Sequence, residues 1–218
     1  MAKENFDRSK PHVNIGTVSQ IVTDTSGQLT LDGIADDLAG NDAPSTKLFI
    51  SAPGSGDPQS FVVAYPFDTD FTFVPASAAC CRQMTMDFAI DMLPLDVTGT
   101  ANLEVTLAIL QDEVFVASNH GQLVNQSTGW MTASNTGLIA KDFFEADGGG
   151  THPDFTRTFQ FGYAFMGDYS TQGLNVEINL DNMHVGINDV PEPMSMAVML
   201  VLAGGALLCR RGLVPTFR

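Results

Sequence analysis

Met84-Thr85-Met86-Asp87-Phe88-Ala89-Ile90-Asp91-Met92 alternates without a break: Met84, Met86, Phe88, Ile90 and Met92 fall on one phase of period two, and Thr85, Asp87 and Asp91 on the other. Successive side chains of an extended strand point to opposite faces, so this stretch reads as a strand with one face on a core and one in water. Outward from it the pattern recurs. Leu103, Val105, Leu107 and Ile109 share a phase, as do Phe159, Phe161, Tyr163 and Phe165 further on. Upstream, Phe61, Val63 and Tyr65, then Phe71 and Phe73, do the same, separated by Pro66 and the polar Asp68-Thr69-Asp70 turn. No long amphipathic helix interrupts the series before residue 190. Strands spaced by Gly, Asn and Asp turns predict an all-β chain, an antiparallel β-sandwich of jelly-roll type.

The last strand carries an irregularity. Val176, Ile178 and Leu180 share one phase, while Met183, Val185 and Ile187 occupy the other, so the pattern slips by one residue at Asp181-Asn182. A β-bulge there returns both halves to one face. An Asp-Asn step inside the closing strand, preceded by the stretch from Pro153-Asp154-Phe155 to Phe161-Gly162-Tyr163, resembles the close of lectin-like and carbohydrate-binding jelly rolls. The resemblance implies a glycan-binding sandwich; sandwiches of this kind also host unrelated activities.

Beyond the strands the composition changes. Val190-Pro191-Glu192-Pro193 is followed by an uncharged, mostly apolar run from Met194 to Cys209 and then by Arg210-Arg211. As a helix, residues 194–209 reach roughly 24 Å at 1.5 Å per residue, against ~30 Å of hydrocarbon core, a marginal membrane span. Leu200, Leu202, Leu207 and Leu208 favour insertion, whereas Ser195, Gly204 and Gly205 weaken it. The arginine pair stays on the cytoplasmic side by the positive-inside tendency, which puts the rest of the chain on the outer face. The Pro-Glu-Pro turn, short transmembrane helix and basic stop resemble the PEP-CTERM sorting signal. That resemblance implies export to the cell envelope, an exosortase-type processing enzyme as partner, and association with extracellular polysaccharide. Two units follow, a β-sandwich ectodomain over 1–189 and a sorting tail over 190–218. Met1 to Gly27 contains no apolar stretch of the ~7–15 residues that a secretory signal needs; the expectation is that the true start lies upstream of Met1.

The 218 residues carry a formal charge of −15, and without Arg210, Arg211 and Arg218 only 7 basic residues stand against 25 acidic ones. Such a balance excludes nucleic acid and anionic headgroups as natural partners. Cys80 and Cys81 are adjacent, and Cys209 lies in the tail, so no disulfide framework or zinc site is implied.

Aspartate in this abundance reads as a solvated surface or as ligands for a structural calcium ion. Asp32, Asp36, Asp37 and Asp42 gather in one loop-like stretch, and Asp147 and Asp154 flank a glycine-rich one. Trp130 follows the polar Asn125-Gln126-Ser127-Thr128 and either stacks on a sugar ring at a sheet rim or plugs one end of the sandwich. Tyr169, in Gly167-Asp168-Tyr169-Ser170, is expected as an exposed contact. The motifs of serine hydrolases, zinc proteases and phosphate-binding loops are absent from the sequence. Asp112-Glu113 and Glu145-Asp147 are the carboxylate pairs open to a tethered glycan hydrolase. His152 is a candidate companion for Asp147. The expectation is an exported, surface-anchored protein without catalytic activity, bound to polysaccharide, with a hydrolase or a purely structural matrix component as alternatives.

Overall fold

In the computed structural model, which describes residues 21–24, 28–36, 45–66, 72–75 and 84–189, the alternating stretch forms the N-terminal part of a 15-residue strand. In chain order the strands are β1 (Ile21–Asp24), β2 (Thr30–Asp36), β3 (Ser45–Ala52), β4 (Gln59–Pro66), β5 (Thr72–Phe73), β6 (Met84–Thr98), β7 (Glu104–Gln111), β8 (Glu113–Val116), β9 (Gln122–Leu123), β10 (Met131–Leu138), β11 (Phe144–Glu145), β12 (Phe159–Tyr169) and β13 (Leu174–Asp189). Among the described residues there are also two short 3-10 turns, Ser118–His120 and Ala140–Asp142. Every pairing is antiparallel. An eight-stranded sheet runs β1-β4-β12-β7-β8-β11, with β5 on β12 and β9 on β7, and a five-stranded sheet runs β10-β6-β13-β3-β2. The two form the sandwich that the periodicity predicts.

The inward phases meet in one core. From the larger sheet come Phe61, Val63, Tyr65, Val105, Leu107, Ile109, Phe159, Phe161, Tyr163 and Phe165; the smaller contributes Leu48, Ile50, Met84, Met86, Phe88, Ile90, Met92, Val176, Ile178 and Leu180. Rigid rings thus face flexible thioethers, which fill the gaps between ring edges. Burying each such side chain stabilises the fold by about 1.5–3 kcal/mol relative to leaving it in water.

The expected bulge is present. Asp181 pairs with Asp91 and His184 with Ala89, so three steps on β13 oppose two on β6. Asn182 absorbs the extra residue at φ 46°, a left-handed conformation that Asn tolerates better than most residues. As a result Met183, Val185 and Ile187 pack against the same core as Val176, Ile178 and Leu180.

At one end the turns after β3, β6 and β12 approach so closely that only backbone fits between them. A Cβ on Gly99, whose φ is +84°, would stand 1.7 Å from the Gly173 carbonyl oxygen. Among the described residues no helix is long and apolar enough to cross a membrane. The tail, including Val190, Pro191, Glu192, Pro193, Arg210 and Arg211, lies outside the described residues, as do Cys80, Cys81 and Cys209.

The candidate ligand-binding face

β6 and β13 run side by side through the middle of the five-stranded sheet, and their outward phases are polar. Asn175, Asn182 and Asn188 on β13 each donate a side-chain N–H to an aspartate of β6: Nδ2 reaches Asp96 Oδ2 at 2.6 Å, Asp91 Oδ2 at 3.1 Å and Asp87 Oδ2 at 2.9 Å respectively. This asparagine–aspartate ladder follows the whole shared length of the two strands. It has an electrostatic reason. Asp91 sits directly opposite Asp181, and Asp96 opposite Glu177; like charges across a strand pair repel, and carboxamide donors offset part of that cost.

Neighbouring elements finish the ladder. The Thr132 hydroxyl of β10 donates to Asp91 Oδ1 at 2.5 Å. Gly137, at φ +70° in a bulge of β10, turns its N–H onto Asp87 Oδ1 at 2.8 Å. The bulge on β13 performs the same kind of aiming, since Asn182 N–H donates to Asp181 Oδ1 at 2.7 Å while its side chain crosses to Asp91. On the other flank, Lys47 Nζ of β3 pairs with Glu177 Oε1 at 2.9 Å and stands 5.9 Å from the ring centre of half-buried Phe49.

Between these groups lies an orphan. Asn179, on the outward phase between Leu93 and Lys47, is 1 % exposed and its Oδ1 accepts no hydrogen bond. A buried acceptor without a donor costs about 1–3 kcal/mol. Asp32, exposed on β2, stands in register with Phe49 on the same sheet. Trp130 is half-buried and immediately precedes Met131, the first residue of the edge strand β10, which pairs with Met92.

The remaining candidates are dispersed. Tyr169 is corrected from an exposed contact to a core residue: it ends β12, is 2 % exposed, and its ring lies 6.1 Å from that of Phe61. It falls on the inward phase of β12, and that periodicity outweighs the turn-like residues around it. Asp147 Oδ1 accepts from Gly149 N–H, and Asp154 Oδ1 from Thr156 N–H and hydroxyl, so each closes its own turn. Asp36 ends β2, while Asp37 and Asp42 lie outside the described residues. Among the described residues no group of three or more His, Cys, Asp or Glu is placed to hold a metal ion. Asp112, at φ 62° in the β7–β8 turn, is solvent-exposed and held by Arg157 at 2.7 Å. Glu113 is exposed beside it, and Glu145 accepts a hydrogen bond from the Thr151 hydroxyl. His152 Nδ1 lies 2.7 Å from the Phe143 carbonyl, its ring edge-on to Phe144.

No protein-family model matches the chain, and no curated protein does. Solved structures do resemble it. A carbohydrate-binding module of the β-sandwich superfamily, studied for promiscuous specificity, superposes with a TM-score of 0.46 at 12% identity, covering 82% of this chain and 62% of its own. This chain therefore spans less than two thirds of that structure. The family 11 carbohydrate-binding module from Clostridium thermocellum, in complex with a β-1,3-1,4-mixed-linked tetrasaccharide, gives a TM-score of 0.42 at 12% identity, with 84% of this chain and 96% of that one covered.

Proposed function

We propose that this chain is an exported, surface-anchored protein of jelly-roll type, delivered by its C-terminal tail and an exosortase-type enzyme, which binds extracellular polysaccharide and does not cleave it. The modules named above bear carbohydrate-related descriptions, but the reading rests on this chain's own outer face. Its carrying observation is the ladder of Asp87, Asp91 and Asp96 with Asn188, Asn182 and Asn175. Sugar hydroxyls are donors held in fixed directions, and carboxylates fixed by strand register and by side-chain amides are acceptors that need no reordering to meet them. Trp130 and Phe49 offer apolar surface at the rim for a ring face. The same carboxylates repel uronates and sulfates, so the ligand is a neutral or amino-bearing glycan.

The test is retention of the purified chain on a panel of insoluble glycans, with assay for new reducing ends. Retention on a neutral polymer, none on a polyuronate, loss of retention in Asp87→Ala and Asp91→Ala with intact melting, and no new reducing ends are expected. Reducing sugar released by the native chain but not by Glu113→Gln or Glu145→Gln would replace this reading with a hydrolase, and absence of any glycan retention would leave a matrix component. Structural calcium belongs to the proposal through the Asp32–Asp42 stretch. Saturation at a hundred times the dissociation constant adds about 2.7 kcal/mol, so melts in calcium should lie above melts in chelator; equal midpoints remove calcium from the account.

A further inference from the structure

The turns that meet at the Gly99 and Gly173 end of the sandwich border an open cleft of about 740 Å³, within the ~300–1,000 Å³ of small-molecule sites. Three connections between the two sheets wall it: the loop after β3 through Pro58, the loop after β6 through Thr100 and Asn102, and the end of β12 with the turn that follows through Asp168, Thr171 and Gln172. These walls are braced backbone to backbone. A Cβ on Gly54 would stand 2.1 Å from the Thr171 carbonyl oxygen, and the Ser170 carbonyl accepts from Ser55 N–H at 3.2 Å and from Gly173 N–H at 3.0 Å. The cleft is therefore formed without a ligand to shape it, and occupying it costs little ordering.

One wall carries a fixed polar pair. Asn102 Nδ2 donates to Asp168 Oδ2 at 2.7 Å, Asp168 N–H donates to Asn102 Oδ1 at 3.1 Å, and the Thr100 hydroxyl donates to the same Oδ1 at 3.1 Å. Both side chains are nonetheless exposed. A carboxylate has two acceptor oxygens and a carboxamide two N–H donors; among the described residues, Asp168 Oδ1 and the second N–H of Asn102 are left for a group from outside the fold. An acceptor and a donor locked side by side complement two neighbouring hydroxyls, one giving its proton and the other accepting one. Asp168 is the one charged residue among the described residues that line the cleft. That disfavours anionic ligands, and a lone carboxylate is too few ligands for a divalent cation.

We propose that this cleft binds a short neutral saccharide through a vicinal diol held by Asp168 and Asn102, as a second site apart from the asparagine–aspartate ladder. It rests on the glycan reading above for ligand class only. Asp168 ends on β12 and Asn102 precedes β7, both strands of the eight-stranded sheet, whereas the ladder belongs to the other sheet. Thr171 and Gln172, both exposed, add a hydroxyl and a carboxamide for the remaining hydroxyls of the ligand. A chain with both sites holds a polymer and a soluble fragment, or two polymer strands, at once.

Calorimetric titration of the full chain with cellotetraose, xylotetraose and mannotetraose tests this. At least one should bind, and Asp168→Asn and Asn102→Ala should each weaken that binding tenfold or more with melting unchanged. Cleaving the diols of the bound tetrasaccharide with periodate and reducing the product with borohydride should abolish it. If either variant melts early, Thr171→Trp, which fills the cleft from an exposed position, takes its place. Binding of none of the three sugars overturns the proposal, as does full affinity in Asp168→Asn or for the periodate-treated sugar. Loss in Asp91→Ala with none in Asp168→Asn assigns the saccharide to the ladder and overturns it equally. Retention on insoluble glycan without tetrasaccharide binding sinks the cleft alone, whereas tetrasaccharide binding that is lost in Asp168→Asn, without any retention, sinks the ladder alone.

Discussion

Tyr65 and Tyr163 stack in the centre of the core with ring centres 5.1 Å apart. Burial pushes both phenols up, and for Tyr163 the neighbouring Tyr65 adds to the rise. A group whose folded pKa is raised contributes stability that is intact below the unfolded value of 10.0 and lost above it. Stability to denaturant should therefore hold to about pH 9 and fall steeply beyond pH 10. The Tyr65 hydroxyl is buried with no hydrogen-bond partner, so Tyr65→Phe should be neutral or stabilising at pH 7 and should shift the alkaline transition upward; a loss above ~1 kcal/mol at pH 7 would show that the hydroxyl is satisfied. Gly99→Ala is the opposite case. Positive φ and a Cβ 1.7 Å from the Gly173 carbonyl leave no relaxed geometry, and a loss of about 2–4 kcal/mol is expected in urea melts.

Strands were legible where a single chain segment carries the whole signal. Met84 to Met92 displays its period without reference to anything else, and the phase slip at Asp181-Asn182 marks the bulge without reference to a partner strand. Tyr169 is buried because the phase it shares with Phe165 outweighs the turn-forming residues beside it. The ladder was invisible for a different reason: Asn188 and Asp87 are 101 residues apart, and nothing in either neighbourhood names the other. Deleting Asn182 removes the extra residue and turns Met183, Val185 and Ile187 to the solvent face, while His184 and Asn188 turn inward. Three half-buried apolar side chains make this a loss of several kcal/mol. Asn182→Gly keeps the left-handed backbone and should cost less than about 1 kcal/mol while still weakening glycan retention. Equal effects of the two changes would show that register does not depend on the bulge.

At the scale of the molecule the sandwich is two-faced, with the carboxylate ladder outside the small sheet and the small side chains of Ala64, Ala108 and Ala164 outside the large sheet. Composition foretold the acidity, but not the pairing of Asp87, Asp91 and Asp96 with asparagines, which arises only when β6 and β13 become neighbours. The tail predicts a further outcome. In a host with the processing enzyme, a chain lacking Pro191 to Arg218 should appear in the medium; unchanged surface retention would end the sorting proposal.

The position of β13 has a mechanical consequence. It lies in the middle of its sheet, bonded to β6 over Asn175–Asp189 and to β3 over Leu174–Leu180, and its C-terminal end precedes the tail in sequence. Tension between a surface anchor and a polymer held on the ladder would enter the sandwich along the axis of this one strand. The ladders to β6 and β3 would then be loaded in shear, many bonds sharing the force at once, instead of being peeled open one at a time from an edge.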